Sequence, residues 1–152
     1  TWIIAGHQPM IDRKTQDEID WLEETILNYR DTKPVQSEIE KSASERGISK
    51  QKLKIYLSFL FGNRKIRIFN NDYMHARIIE TNKIRLLRYL SDNPTGINIQ
   101  EYKSAIGGTK PFRALLGEIF ESDKIIQFVH GSDMDTRILL TQHGKDILKK
   151  SG

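Results

Sequence analysis

An internal repeat of secondary-structure signals constrains this chain more than any other sequence feature. Apolar residues recur at helical spacing in three consecutive segments, at 16–30, 35–43 and 49–61. An alternating segment from Lys65 to Phe69 follows, with Asn70, Asn71 and Asp72 as turn residues before a second strand at 73–76. This pattern predicts three short helices and then a β-hairpin.

The same order returns in the second half of the chain. Helical spacing at 78–90, 99–106 and 109–120 precedes two strands, at 124–129 and 136–140, on either side of a turn at 131–133. Under a shift of 59 positions, six apolar or basic residues coincide with similar ones: Leu57, Leu60, Phe61, Lys65, Ile66 and Phe69 fall on Leu116, Ile119, Phe120, Lys124, Ile125 and Phe128. Such self-similarity predicts two copies of one structural unit, followed by a last helix at 141–150.

Three helices followed by a hairpin is the order of a winged helix, whose second and third helices form a helix-turn-helix and whose hairpin is the wing. We therefore expect a mainly α chain with small β-hairpins, built as a tandem winged helix. The expected domains are an N-terminal extension at 1–15, a first module at 16–77, and a second module at 78–152 that includes the C-terminal helix.

Composition narrows the function classes. The 152 residues contain no cysteine, which excludes disulfides, thiolate zinc sites and cysteine nucleophiles and fits a reducing, cytoplasmic location. No apolar run is long enough for a membrane-spanning helix, so we expect no membrane partner. The apolar start, 1–5, is too short for a signal peptide and leaves open that the chain is part of a larger factor.

Catalytic motifs find little support. The four histidines lack the spacing of a helical metal pair, and Gly107-Gly108-Thr109-Lys110 lacks the full spacing of a phosphate-binding loop and follows a helix instead of a strand. We interpret these residues as a helix terminator followed by a helix cap. The sequence predicts a protein that is not an enzyme and has no cofactor or metal.

Charge is concentrated in the middle of the chain. Residues 49–113 hold 13 basic and 4 acidic side chains, although the whole chain carries only +4. A basic stretch attracts polyanions because binding releases their counterions, so we expect nucleic acid as partner, with DNA favoured over RNA for winged helices. The alternative is a solvated basic surface without a partner.

The outward faces of the third helices supply the candidate contact residues. If Leu53, Leu57 and Leu60 face inward, Ile55 and Phe59 face outward, which favours a protein partner or homodimer over base reading. The third helix of the second copy instead presents two small residues, Ala114 and Gly117. The beginning of this helix suits contact with a phosphate group. The expected nucleic-acid contacts are Thr109, Lys110 and Arg113 on this helix, with Arg64, Lys65 and Arg67 at the first wing.

Two segments resemble a known family. The run 65–75, Lys-Ile-Arg-Ile-Phe-Asn-Asn-Asp-Tyr-Met-His, and the run 106–116, which begins Ile-Gly-Gly-Thr-Lys-Pro, are similar to the C-terminal winged-helix repeats of the bacterial selenocysteine-specific elongation factor. The resemblance implies binding of an RNA hairpin through Thr109, Lys110, Arg113 and Arg137. The segment 140–148 resembles instead the closing helix of winged-helix DNA regulators.

Overall fold

A computed structural model describes residues 12–130 and 136–151. This part of the chain is mainly helical with two small antiparallel sheets, as the sequence predicts. Its elements, in chain order, are α1 (Arg13–Leu27), α2 (Gln36–Glu45), α3 (Lys50–Gly62), β1 (Ile66–Phe69), β2 (Asp72–His75), α4 (Ala76–Ser91), β3 (Ile97–Asn98), α5 (Ile99–Ile106), α6 (Lys110–Ser122), β4 (Ile126–His130), β5 (Thr136–Leu140) and α7 (Gln142–Ser151).

Side-chain caps set the beginnings of several helices. Asp12 accepts a backbone N–H of the first turn at 2.7 Å, so α1 begins before the expected Gln16. Ser49 and Thr109 each accept a backbone N–H of the helix that follows, at 3.1 and 3.4 Å, so the cap predicted at Thr109 is confirmed. The third helix of each half therefore begins where the sequence indicates.

The first hairpin closes through the predicted turn. Phe69 lies opposite Asp72, which leaves Asn70 and Asn71 as a two-residue loop. Asn70 has a φ of +56°, a left-handed conformation that asparagine tolerates better than most residues.

The second sheet has one more strand than expected. β5 lies in the centre, with β4 on one side and the two-residue strand β3 on the other, where Ile97 pairs with Ile138. β3 is too short to produce an alternating pattern, which explains why the sequence did not reveal it. The predicted turn at 131–133 lies outside the described residues.

The buried side chains form two clusters, and the first hairpin takes part in both. Tyr73 belongs to the cluster built from α1, α2 and α3, whereas the next residue, Met74, belongs to the cluster built from α4, α5, α6 and the second sheet. Successive side chains of a strand point to opposite faces, so β2 contributes to one core on each side. The hairpin expected to be the wing of the first module is packed between the two halves.

Arg67 corrects one expectation about this hairpin. Its guanidinium donates two hydrogen bonds, at 2.6 and 2.9 Å, to the Asp123 carboxylate directly after α6. This hydrogen bonding raises the pKa of Arg67. Arg67 was expected to contact phosphate, but its side chain is engaged in an internal bidentate pair that ties the first hairpin to the second half.

Two further polar contacts connect α1 and the segment after it to the residues that cap α4 and α6. The Nδ1 atom of His75 accepts the backbone N–H of Arg77 at 3.0 Å, so its Nε2 carries the proton that is donated to Glu23 of α1 at 2.9 Å. The backbone N–H of Thr109, at the start of α6, donates to the carbonyl of Asp31 at 3.0 Å. Glu23 of α1 thus contacts the residue that caps α4, and Asp31, after α1, contacts the residue that caps α6.

Gly108 is a test of the contact between α6 and the segment after α1. It has a φ of +75°, and an added methyl group would collide with the carbonyl of Asp31, whereas Gly47, with a φ of +78°, has open space around it. We expect Gly47→Ala to lower the free energy of unfolding by about 1–2 kcal/mol through backbone conformation. Gly108→Ala should lower the free energy of unfolding by a further ~1–3 kcal/mol, because the added methyl group collides with the Asp31 carbonyl. Equal losses in urea unfolding would contradict the contact.

The Arg67–Asp123 pair can be measured by a double-mutant cycle. Both side chains are part-exposed, at 42% and 32%, so solvent screening limits the interaction. We expect Arg67→Ala and Asp123→Ala to show a coupling of about 1 kcal/mol in the free energy of unfolding, the upper end for an exposed pair with bidentate geometry. Additive single effects would show that the pair contributes nothing to stability.

Candidate nucleic-acid interface

The start of α6 combines an exposed cap with an exposed cation. Gly107 and Gly108, both with positive φ, end α5, and Thr109 then caps the next helix. Thr109 and Lys110 are both exposed, and Pro111 suits the first turn because it lacks an N–H group there. The positive end of the α6 dipole and the Lys110 ammonium therefore face solvent together.

Arg113 lies one turn further along and is half-buried. Its guanidinium donates to the carbonyl of Gly108, and its own carbonyl accepts the Tyr102 hydroxyl at 2.6 Å. Burial raises the pKa of Tyr102, which keeps this hydroxyl protonated as the donor. Arg113 is thus oriented by α5 and by the loop before α6, with the rest of its guanidinium available for an anion.

The outward face of α6 differs from the expectation at one residue. Ala114 and Glu118 are exposed, as expected, but Gly117 is buried, and a methyl group there would lie 3.3 Å from both the Phe128 ring and the Tyr102 hydroxyl. The hydrophobic pattern gave no sign of this contact, since a glycine adds nothing to an apolar stripe. Gly117 lets α6 pack closely on α5 and β4 instead of contacting a ligand.

A shallow depression of about 230 Å³ lies between α5, α6 and β4. Its base is mostly apolar, with Ile99, Ala114 and Phe128 among the lining residues. Along α6, Lys110 and Arg113 line its first part, and Glu118 and Glu121 line its last part. The charges favour a polyanion at the beginning of α6 and oppose one at its end.

Arg64 and Lys65 lie in the connection between α3 and β1. Both are exposed, and Arg64 has a left-handed φ of +61°. The backbone of Lys65 is fixed on both sides, because its N–H donates to Leu60 and its carbonyl accepts from Ala76, each at 2.9 Å. Two solvated cations on a fixed backbone suit contacts with phosphate groups.

Arg137 lies on the central strand of the second sheet. Its guanidinium reaches the carbonyl of Gly96 at 3.4 Å, and the residue is otherwise exposed. Within residues 12–130 and 136–151, no hydrogen bond or ion pair joins Arg64, Lys65 or Arg137 to the start of α6. The structure therefore brings together Thr109, Lys110 and Arg113, and leaves the other candidate cations on separate elements.

α3 corrects the expected protein-contact face. Ile55 is 58% exposed, as expected, but Phe59 is half-buried against the first core. Tyr56 is buried and its hydroxyl donates to the Glu18 carboxylate at 2.5 Å, whereas Leu57, which was expected to face inward, is half-buried against the same core. Burial, together with that carboxylate, raises the pKa of Tyr56 to about 12. The signal was present, since Leu53, Tyr56 and Leu60 also follow helical spacing.

A second concave surface is assembled from residues far apart in sequence. A groove of about 770 Å³ lies between the end of α1, one face of α4 and the α5–α6 turn. Arg30, Arg77 and Arg85 line it. Arg77 and Arg85 belong to the basic stretch 49–113, but the sequence offers no signal that Arg30 lies across from them, because that proximity depends on tertiary packing.

Comparisons with known proteins add no assignment. Among the described residues, no three His, Asp or Glu side chains are placed to hold a metal ion. In this same part of the chain, no helix combines the length and apolar character needed to cross a membrane. No protein-family model matches the chain, and no curated protein matches it in sequence.

Proposed function

We propose that the chain is a tandem winged-helix protein, with modules at 16–77 and 78–152, that binds nucleic acid without catalysis. The observation that carries the proposal is the start of α6, where Lys110 is exposed beside the Thr109 cap and Arg113 is held one turn away. This is the third helix of its half, the element that reads nucleic acid in helix-turn-helix proteins.

The contact begins at a phosphate group. The positive end of the helix dipole at the start of α6 favours an anion, and Lys110 adds a full positive charge at the same place. Ala114, one turn further, lets the helix approach a groove closely, whereas Glu118 and Glu121 keep the end of α6 away from phosphates. Only the first half of the helix enters the interface.

Duplex DNA is the favoured target, and an RNA hairpin is the alternative implied by the family resemblance. Arg64, Lys65 and Arg137 are exposed and supply further phosphate contacts for either one. Arg67 has no such role in this proposal, because Asp123 occupies its guanidinium. Selection from mixed DNA and RNA pools decides between the two targets.

A protein-interaction adaptor is a second candidate function. One observation favours it: Ile55, a large apolar side chain, is 58% exposed on α3 and lies one turn before the half-buried Phe59. In this function the first module contacts a partner protein or a second copy of the chain.

Nucleic-acid binding is tested by a mobility-shift series across salt concentrations. We expect log affinity to fall linearly with log salt, with a slope of about −0.9 per phosphate contact on duplex DNA. Lys110→Ala and Arg113→Ala should each weaken binding by about 1–3 kcal/mol, and loss of a Lys110 phosphate contact should reduce the slope by about one. Lys41→Ala, at an exposed lysine of α2, is the matched control and should change neither quantity. A flat salt dependence would refute the proposal.

The adaptor function is tested by light scattering on a size-exclusion column. If Ile55 forms a contact between two copies, the wild-type mass exceeds that of one chain, and Ile55→Asp returns it to one chain because a carboxylate cannot be buried unpaired. Ser44→Asp adds the same charge to an exposed position of α2 and should leave the mass unchanged. The adaptor function is contradicted if the wild-type chain is a monomer, if Ile55→Asp leaves its behaviour unchanged, and if it binds no partner protein through α3.

A further inference from the structure

We propose that the groove between α1, α4 and the α5–α6 turn is a separate binding site for a nucleotide, meaning a phosphate group together with its base. This site adjoins the turn before α6 but does not include Thr109, Lys110 or Arg113, and it does not depend on the function proposed for that helix. The nucleotide is supplied either as a free small molecule or as an unpaired unit of a nucleic-acid strand.

The size of the groove suits a ligand of this class. Its volume of about 770 Å³ falls within the range of pockets that bind small molecules and cofactors. Three walls from different parts of the chain surround it, and the contacts of His75 with Glu23 and of Thr109 with Asp31 hold these walls together. The groove is therefore formed before a ligand arrives.

The cations of the groove have no protein partner. Within the described residues, the guanidinium groups of Arg30, Arg77 and Arg85 form no hydrogen bond and no ion pair. Arg77 and Arg85 are two turns apart on α4, about 12 Å along the axis, with Thr81 between them. The phosphate belongs at the Arg77 end, where the positive end of the α4 dipole lies. Arg85 is then placed to meet the base, since a guanidinium pairs well with the edge of a guanine.

A buried amide supplies a second, independent observation. Asn82 lines the groove and is only 7% exposed, and its Nδ2 donates to the Ile78 carbonyl of its own helix at 2.8 Å. No donor among the described residues reaches its Oδ1. A buried polar atom without a partner is costly, so a ligand that donates a hydrogen bond to Asn82 is stabilised.

The remaining lining explains why a base, and not a bare anion, fits the groove. Ile78 and Ala105 are half-buried apolar residues that can contact the face of a ring. Glu24 and Asp31 also line the groove and disfavour a bare anion beside them, but their carboxylates accept hydrogen bonds from exocyclic amino groups or ribose hydroxyls. A nucleotide offers a negative end, a flat apolar face and several donors, which match these three parts of the lining.

Isothermal titration calorimetry with the four ribonucleoside monophosphates and with inorganic phosphate tests the inference. We expect at least one mononucleotide to bind, and to bind more tightly than phosphate alone. Arg85→Glu and Asn82→Leu should each weaken this binding by about tenfold or more, the effect of losing a hydrogen bond to a charged or buried group. Arg88→Glu, at an exposed arginine of α4 outside the groove, is the matched control and should leave binding unchanged.

Two outcomes overturn the proposal. One is the absence of binding by every mononucleotide to the wild-type chain, and the other is phosphate binding as tight as that of the nucleotides. Equal losses in Arg85→Glu and Arg88→Glu also overturn it, because a general charge effect would then explain the binding. Circular dichroism and thermal unfolding of each variant confirm that the fold is retained, and Arg85→Glu keeps the test valid if Asn82→Leu does not fold.

The source of the nucleotide is decided by competition. If an unstructured oligonucleotide displaces the mononucleotide, and still binds the Lys110→Ala variant, the groove takes a unit of a strand. If it does not displace the mononucleotide, the groove takes a free small molecule. Duplex binding that depends on Lys110 is measured separately, so failure of the groove and failure of the α6 interface are distinguishable.

Discussion

The fold depends on a short strand that lies between two apolar cores. On β2, Tyr73 packs into the core of the first half and Met74 into the core of the second. Two polar contacts depend on this placement: Arg67 reaches Asp123 from the neighbouring strand, and His75 at the end of β2 both caps α4 and contacts Glu23. The orientation of the two halves is therefore set by apolar burial and then reinforced by polar contacts.

Local signals predicted most of the elements. Helical spacing, the caps Ser49 and Thr109, and the Asn70-Asn71 turn each depend on neighbours within a few residues, and the structure contains the corresponding helices and hairpin. β3 could not be predicted because two residues cannot show a period. The packing of the first hairpin between two cores could not be predicted for a different reason. Its alternating pattern is the same whether one face is solvated or both faces are buried.

The candidate contact residues also divide into those that local sequence could identify and those that depend on tertiary packing. Lys110 could be identified from sequence because its exposure follows from its position before the apolar stripe of α6. Arg67, Phe59 and Gly117 could not be assigned correctly, since each depends on a partner distant in sequence or on the exact rotation of a helix. Arg30 and Asn82 enter the groove through tertiary packing alone, which no periodicity records.

The cations lie on two surfaces that suit two different kinds of ligand. Lys110 and Arg113 are at an exposed helix end that suits a repeating phosphate backbone, whereas Arg77 and Arg85 line a groove whose volume suits a single compact ligand. α6 begins directly at the turn that forms one wall of the groove. The hydrogen bond between Thr109 and Asp31 therefore holds both the start of α6 and this wall of the groove in place.

The double use of β2 also restricts how such a chain can evolve. Adding or removing one residue within the strand would exchange the sides to which Tyr73 and Met74 point, and both cores would lose their contribution at once. Neither half can therefore accept a length change at this boundary without an effect on the other, so the two halves share one register.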